Sequence, residues 1–451
     1  MNQTSKVEMH NSASVRRIAV VGGGSAGMIS AFLLGTRYDV TLFEASPTTG
    51  GHARTVRVPD GPDMGIGLDP GFINCAPSAY PRLFKYLAAL GVETAPSDPS
   101  FCAYFEKTGA QFYFAMGPQG RVGSLDDRDK ELVAQLSRLG EFYRRAADDL
   151  RAGRLAGKTV GEYFAEAGVP RAILETLIIP LYASLWLVPP AVVPLLSAES
   201  HFTFYRRLGL PLLDIYGFQY VKGGCSSYIE ALAAGFRGNI RLSTPVKRVS
   251  RRSDAVDIAL QNGQQEIFDA VVMATHADDA LRLLADPSPD EATALGAWTY
   301  VPAQVVTHCD PVVIPSDQRS LVSINYFGDD DGSRLRMTMN LNRMMKLDAQ
   351  LTYFASINPP KPIRDDLILD IMNWKHPVPS VKAVASQPAL RGVSGLRRTY
   401  FCGSYFGCGS HEDAVASGEA VALKLGVSPD EVLARTIAGE NAAGPVLAKA
   451  G

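Results

Sequence analysis

The chain moves between short runs of consecutive apolar residues that end in glycine and longer segments in which apolar residues return at helical spacing. Ile18–Val21 is the first such run, and unbroken apolar character suits a strand buried on both faces of a parallel sheet. A helix is predicted after the glycine turn that follows it, and a second strand over Val40–Phe43. Leu83, Tyr86, Leu87 and Leu90 then recur at helical spacing between Pro81, which suits a first turn, and Gly91, which stops the helix. Phe101–Phe105 and Gln111–Phe114 read as strands around a turn at Gly109, in a sheet apart from the first.

Leu125–Ala152 is charged and helical, with Leu132, Leu136, Leu139, Phe142 and Tyr143 on one face. Helices are predicted at Val160–Ala167 and Ala198–Leu208. The apolar stretch between them, Ile173–Leu196, is broken by Glu175, Pro180, Pro189, Pro190 and Pro194, so it makes a poor membrane-spanning helix. This helical block is expected to cap a substrate pocket. From Gly217 a strand runs into Gly223-Gly224 and a helix follows from Ser226 to Ala234. Short strands are predicted at Ile240–Leu242 and Val246–Val249. Val256–Leu260 and Glu266–Phe268 form a hairpin turning at Asn262-Gly263, and Ala270–Ala274 is a buried strand. Residues 295–358 alternate as a second set of strands. Finally Thr399–Cys402 runs into Gly403, Gly407 and Gly409, and a helix opens near His411–Asp413, where acids complement its dipole.

A length of 451 residues calls for two intimately connected domains. The fold class expected is α/β: a Rossmann-like nucleotide-binding domain from 15–75, 215–290 and 396–430, interleaved with an α+β substrate domain. The latter comprises 76–214, with the helical cap, and the mixed sheet of 291–395; residues 431–451 read as a polar, alanine-rich tail. A net charge of −2 without a basic stripe argues against nucleic acid as a partner. Six scattered cysteines with no C-x-x-C pair fit reduced thiols, so neither a disulfide framework nor a metal site is expected. Residues 1–14 lack the apolar core of a signal peptide, which makes the cytoplasm the expected compartment. No transmembrane segment is expected; peripheral membrane contact and the oligomeric state stay open.

The candidate chemistry begins at the first turn. Gly22, Gly24 and Gly27 form G-x-G-x-x-G between strand and helix, allowing a tight turn, close approach of backbone to a pyrophosphate, and close helix packing. Glu44 ends the second strand 20 residues after Gly24, where a carboxylate accepts ribose hydroxyls and repels a 2′-phosphate. NADP is therefore disfavoured. The motif itself does not separate FAD from NAD. Its early position and the second bare turn at Gly50-Gly51 lean toward FAD.

Several further segments share one pattern: GGHART at 50–55, LDPGF at 68–72, SYI at 227–229, ATHADDAL at 274–281, NYF at 325–327, MNLNRM at 339–344, INPP at 357–360 and GSHEDA at 409–414. In this order they resemble the flavin-containing amine oxidase superfamily, which includes phytoene desaturases and protoporphyrinogen oxidases. Within it, the chain is most similar to a bacterial amine-oxidase-like branch associated with cyclopropane-fatty-acid synthases. The resemblance implies FAD, with Gly22, Gly24, Ser25, Ala26 and Gly27 on the pyrophosphate and Glu44 with Ala45 at the adenosine ribose. It places Gly51 and His52 along the chain toward the ring and Val246 at the adenine. Gly403, Glu412, Asp413 and Ala414 would lie by the second phosphate and the isoalloxazine. His411 and Tyr326 are the candidate catalytic side chains. The superfamily's arginines around the Gly-Gly turn are replaced here by Thr48, Thr49 and His52, and its aromatic pair by Gly407, Cys408 and Gly409, which turns the expectation away from amines. The activity implied is an FAD-dependent desaturase or oxidase that moves hydride from a C–C or C–N bond of a largely apolar small molecule or lipid to flavin N5. A redox-neutral double-bond isomerase and a non-catalytic flavin-bound partner protein are the alternatives.

Overall fold

A computed structural model describes residues 15–105, 110–117, 120–122, 129–208, 217–313, 322–328, 331–440 and 446–448. Its centre is a six-stranded sheet in the order Thr399–Phe401, Ala270–Met273, Arg17–Val21, Asp39–Phe43, Asn239–Arg241, Val446–Ala448, with every pairing parallel. Four of the five residues of Arg17–Val21 are buried, as their continuous apolar character requires of a central parallel strand. The opening helix, Ser25–Leu34, is buried along its whole length. It packs against the sheet on one side and against the closing helix, His411–Lys424, and the helix Ser226–Gly235 on the other. The first and last informative segments of the chain are thus direct neighbours.

A three-stranded antiparallel sheet, Val246–Arg251, Val256–Leu260 and Gln265–Phe268, covers the parallel sheet. The second large sheet has eight strands: Ile368–Val378, Thr299–His308, Phe354–Ile357, Met337–Asn340, Ile324–Gly328, Phe101–Phe105, Ala110–Gly117 and Gly120–Val122. Its pairings are antiparallel except between Ile324–Gly328 and Phe101–Phe105. It joins chain segments on both sides of the return strand Gln219–Val221.

The helical block also forms. Asp129–Arg151 is a helix, and Phe142 and Tyr143 are buried on the predicted face; the side chains at 132, 136 and 139, like the Gly109 turn and residues 1–14, lie outside the described residues. The proline-broken stretch becomes a π-turn at Leu174–Ile178, a helix at Ile179–Trp186 ended by left-handed Leu187, and a 3-10 turn at Pro190–Leu195. No described helix is long and apolar enough to cross a membrane. Two elements differ from expectation. Ile368–Val378, an 11-residue edge strand, has no clear sequence signature. The stretch read as a tail opens inside the helix Pro429–Ile437, which Ser428 caps, and Val446–Ala448 adds the last parallel strand.

Candidate functional site

Two bare turns meet at the foot of the opening helix. Gly22 has φ +105°, and a Cβ there would stand 2.7 Å from the Ala274 carbonyl oxygen; at Gly27 it would stand 1.9 Å from the Gly22 oxygen. Both glycines hold the strand and helix together. Gly24 is different, because a Cβ there would enter open space. Gly24 also begins the helix without any side-chain cap, and the first turn contains no acid. The second turn docks alongside: Gly50 N donates to Gly23 O at 2.8 Å, and a Cβ on Gly51, whose φ is +59°, would lie 3.3 Å from Gly24 Cα. Uncapped helix N–H groups beside bare backbone and open space form an anion cradle. Glu44 fixes the turn: its carboxylate accepts Gly23 N at 2.6 Å and Ser46 N at 2.8 Å, next to exposed Ala45. Beyond Glu44, Thr244 N donates to Glu44 O, and a cavity of 360 Å³ lined by Arg241, Thr244 and Pro245 lies beside Val246.

The closing turn faces this cradle through side chains. Ser25 Oγ and Tyr228 Oη are 2.7 Å apart, and Tyr228 Oη is 2.7 Å from His411 Nε2. His411 stacks on Phe72, with centroids 3.9 Å apart and ring planes 9° from parallel. The LDPGF and SYI segments therefore converge on the GSHEDA turn. Gly403 N donates to Ser417 Oγ, and a Cβ at Gly403 would strike the Tyr405 ring. The carboxylates beside His411 turn into the protein. Glu412 accepts Arg82 N and Leu83 N, capping the helix Pro81–Ala89, and burial raises its pKa against those bonds. Asp413 accepts Cys408 N, Ser410 N and Ser410 Oγ on one oxygen and Arg207 Nη1, at 2.8 Å, on the other. Ser410 caps this helix start in turn, accepting Asp413 N on its side chain and Ala414 N on its carbonyl.

Four of the chain's seven histidines gather between the two turns. The His52 ring lies 5.0 Å from His376, 6.0 Å from His276 and 4.9 Å from Trp374. All are uncharged at neutral pH. Burial holds His52 well below the ordinary imidazole range, aided by repulsion from His376, His276 and His411. It lowers His376 to about 4, with a further push from His276, and His411 to about 3. Burial also lowers His276, with Lys375 adding to it and Asp279 and Asp278 opposing. His276, Asp278 and Asp279 have the make-up of a metal site, but Lys375 Nζ stands 2.7 and 3.0 Å from the two carboxylates and answers their charge.

The sequence-derived residues thus fall into groups. Gly24, Ser25, Gly51, His52 and His411 share one region. Gly22, Gly27 and Gly403 shape it by packing. Tyr326 is buried in the main core, 6.3 Å from Phe105. Phe72, Tyr228, Trp374 and His376 were not singled out as site residues by sequence reasoning. The first two sit inside matched segments, whereas Trp374 and His376 lie on the strand without a signature.

A model of the family described as flavin containing amine oxidoreductase matches residues 25–425. No curated protein matches the chain. Among solved structures, cyclohexylamine oxidase from Brevibacterium oxydans IH-35A is similar at a TM-score of 0.66 and 16% identity, over 91% of this chain and 98% of that one. A CLA-producing fatty acid isomerase from P. acnes gives 0.62 at 17%, over 91% and 99%. Reduced UDP-galactopyranose mutase gives 0.59 at 15%, over 96% and 100%. Identities this low speak to fold alone. The residues present fit the cofactor of such enzymes, since the uncapped helix start, the open space at Gly24 and the orphaned nitrogens His52 Nε2 and His376 Nδ1 are what a bound dinucleotide would satisfy. The chain belongs to the flavin-containing amine oxidoreductase family and is an FAD-dependent oxidoreductase.

Proposed function

We propose that the protein takes hydride from a largely apolar small molecule or lipid, as a desaturase or oxidase, rather than from an alkylammonium. One observation carries this reading: no carboxylate is left to pair with an ammonium among the acids described around the histidines. Glu412 caps a helix, Asp413 pairs with Arg207, and Asp278 and Asp279 pair with Lys375. The walls are instead neutral imidazoles and the rings of Phe72 and Trp374.

FAD, when bound, supplies the hydride acceptor. The protein's part is placement. Gly24, Ser25 and Gly51 would receive the pyrophosphate, Glu44 the ribose and the Val246 region the adenine. Tyr228 links Ser25 to His411 through one hydroxyl, while Phe72 holds the imidazole flat. Orientation beside an acceptor suffices for hydride transfer, so no general base is required of the chain.

The test is to purify the protein, confirm bound FAD by absorbance, and add unsaturated or saturated acyl lipids and primary amines under anaerobic conditions. Bleaching of the flavin by lipids and not by amines is expected; bleaching by amines alone would refute the reading. Turnover of a lipid without any electron acceptor would replace oxidation by isomerisation.

A further inference from the structure

His52 Nε2 and His376 Nδ1 are buried nitrogens with no hydrogen-bond partner among the described residues, on half-buried rings 5.0 Å apart. An unpaired buried polar atom is costly, and here two stand at one place. They come from opposite walls. His52 follows the Gly50-Gly51 turn, whose backbone flanks Gly24. His376 belongs to the edge strand Ile368–Val378 of the eight-stranded sheet.

That strand is seated on the turn. Trp374 packs against His52, and a Cβ on Gly71 would come within 2.7 Å of the Trp374 ring. Arg54, two residues beyond His52, pairs with Asp370 at the other end of the same strand at 2.8 Å. The neighbouring charge is directed elsewhere, because Lys375 reaches Asp278 and Asp279 over the Tyr300 ring. Between turn and strand, then, lie two neutral groups able to donate or accept and no ion committed to either. A planar group with hydrogen-bonding atoms along its edge would answer both.

Resting on the flavin reading above, we propose that His52 and His376 are positioning residues for the flavin, one from each wall, so that cofactor binding fastens the edge strand Ile368–Val378 to the Gly50-Gly51 turn. The strand thereby becomes part of the cofactor site although it belongs to a different sheet from the nucleotide-binding turn.

Amide hydrogen exchange of the full chain with and without FAD tests this directly. Exchange in residues 368–378 is expected to slow at least about tenfold on binding, the equivalent of roughly 1.4 kcal/mol. In parallel, His376→Phe is expected to raise the FAD dissociation constant about tenfold or more and to shift the flavin absorption bands, and His376→Gln to restore most of both. FAD binding with unchanged exchange in 368–378, or with His376→Phe matching the parent in affinity and spectrum, overturns the assignment; the exchange result decides alone if that variant does not fold. Failure of the unmodified chain to bind FAD at all would overturn the flavin reading itself.

Discussion

Tyr228 serves two partners with one hydroxyl, and both Ser25 and His411 lose a bond if it is removed. Tyr228→Phe should lower stability by about 1–3 kcal/mol, because the hydroxyl lies in a buried setting. It should also slow substrate-dependent flavin bleaching about tenfold, a barrier change of roughly 1.4 kcal/mol; stopped-flow absorbance and urea denaturation measure the two effects. Asp69 is a second residue whose value lies in its bonds. It accepts Thr55 Oγ1 at 2.6 Å and Cys225 N at 2.8 Å, bolting the segment after the Gly-Gly turn to the return strand's turn. Burial nonetheless raises its pKa to about 6. Since the folded value exceeds the unfolded one, near 3.9, ionisation opposes folding: Asp69 costs nothing below about pH 4, and its cost grows to roughly 3 kcal/mol by pH 6 and above. Asp69→Asn should remove that component from the pH dependence of stability, measured as the difference between parent and variant from pH 4 to 7. Neither role was legible in the sequence. The glycines declare themselves locally, through a motif closed within six residues, whereas Tyr228 and Asp69 matter through partners 14 to more than 150 residues away.

Strand, turn and helix together form the unit that the sequence made plainest, and its two inner glycines can be separated by experiment. A Cβ at Gly27 collides with the Gly22 oxygen, so Gly27→Ala should destabilise the apoprotein by about 1–3 kcal/mol or more. A Cβ at Gly24 meets nothing, so Gly24→Ala should leave the apoprotein's melting temperature near the parent's while weakening FAD binding, as titration calorimetry would show. Equal loss of stability in the two variants would contradict the division of labour. The strand Ile368–Val378 escaped reading for physical reasons. It lies at a sheet edge, Ile371 is exposed, Asn373, Lys375 and His376 break the apolar alternation, and Pro377 weakens any strand signal. One of the four clustered histidines, His376, was hidden with it. The helix Pro429–Ile437 was missed because its apolar face is narrow, with Val432 and Leu433 buried beside Pro429.

Across the whole molecule the buried histidines set the response to acid. Their folded pKa values, about 4 for His376 and about 3 for His411, lie below the unfolded value near 6.5. A neutral imidazole in the fold and a charged one in the unfolded chain mean that stability present above pH 6.5 is lost as pH falls toward 4. The urea midpoint should therefore drop steadily between pH 7 and 5. His376→Gln, tested in the apoprotein, should make that drop shallower, and an unchanged slope would exclude His376 from it. The parallel sheet carries a further consequence for how the protein is made. Its central strand Arg17–Val21 is flanked by Ala270–Met273, and that strand in turn by Thr399–Phe401. During synthesis Arg17–Val21 can pair early with Asp39–Phe43, but its other partner, Ala270–Met273, emerges more than 200 residues later, and contacts of such long range form slowly. The closing helix that completes the cradle's surroundings starts only at His411. FAD is accordingly expected to load onto finished chains rather than nascent ones.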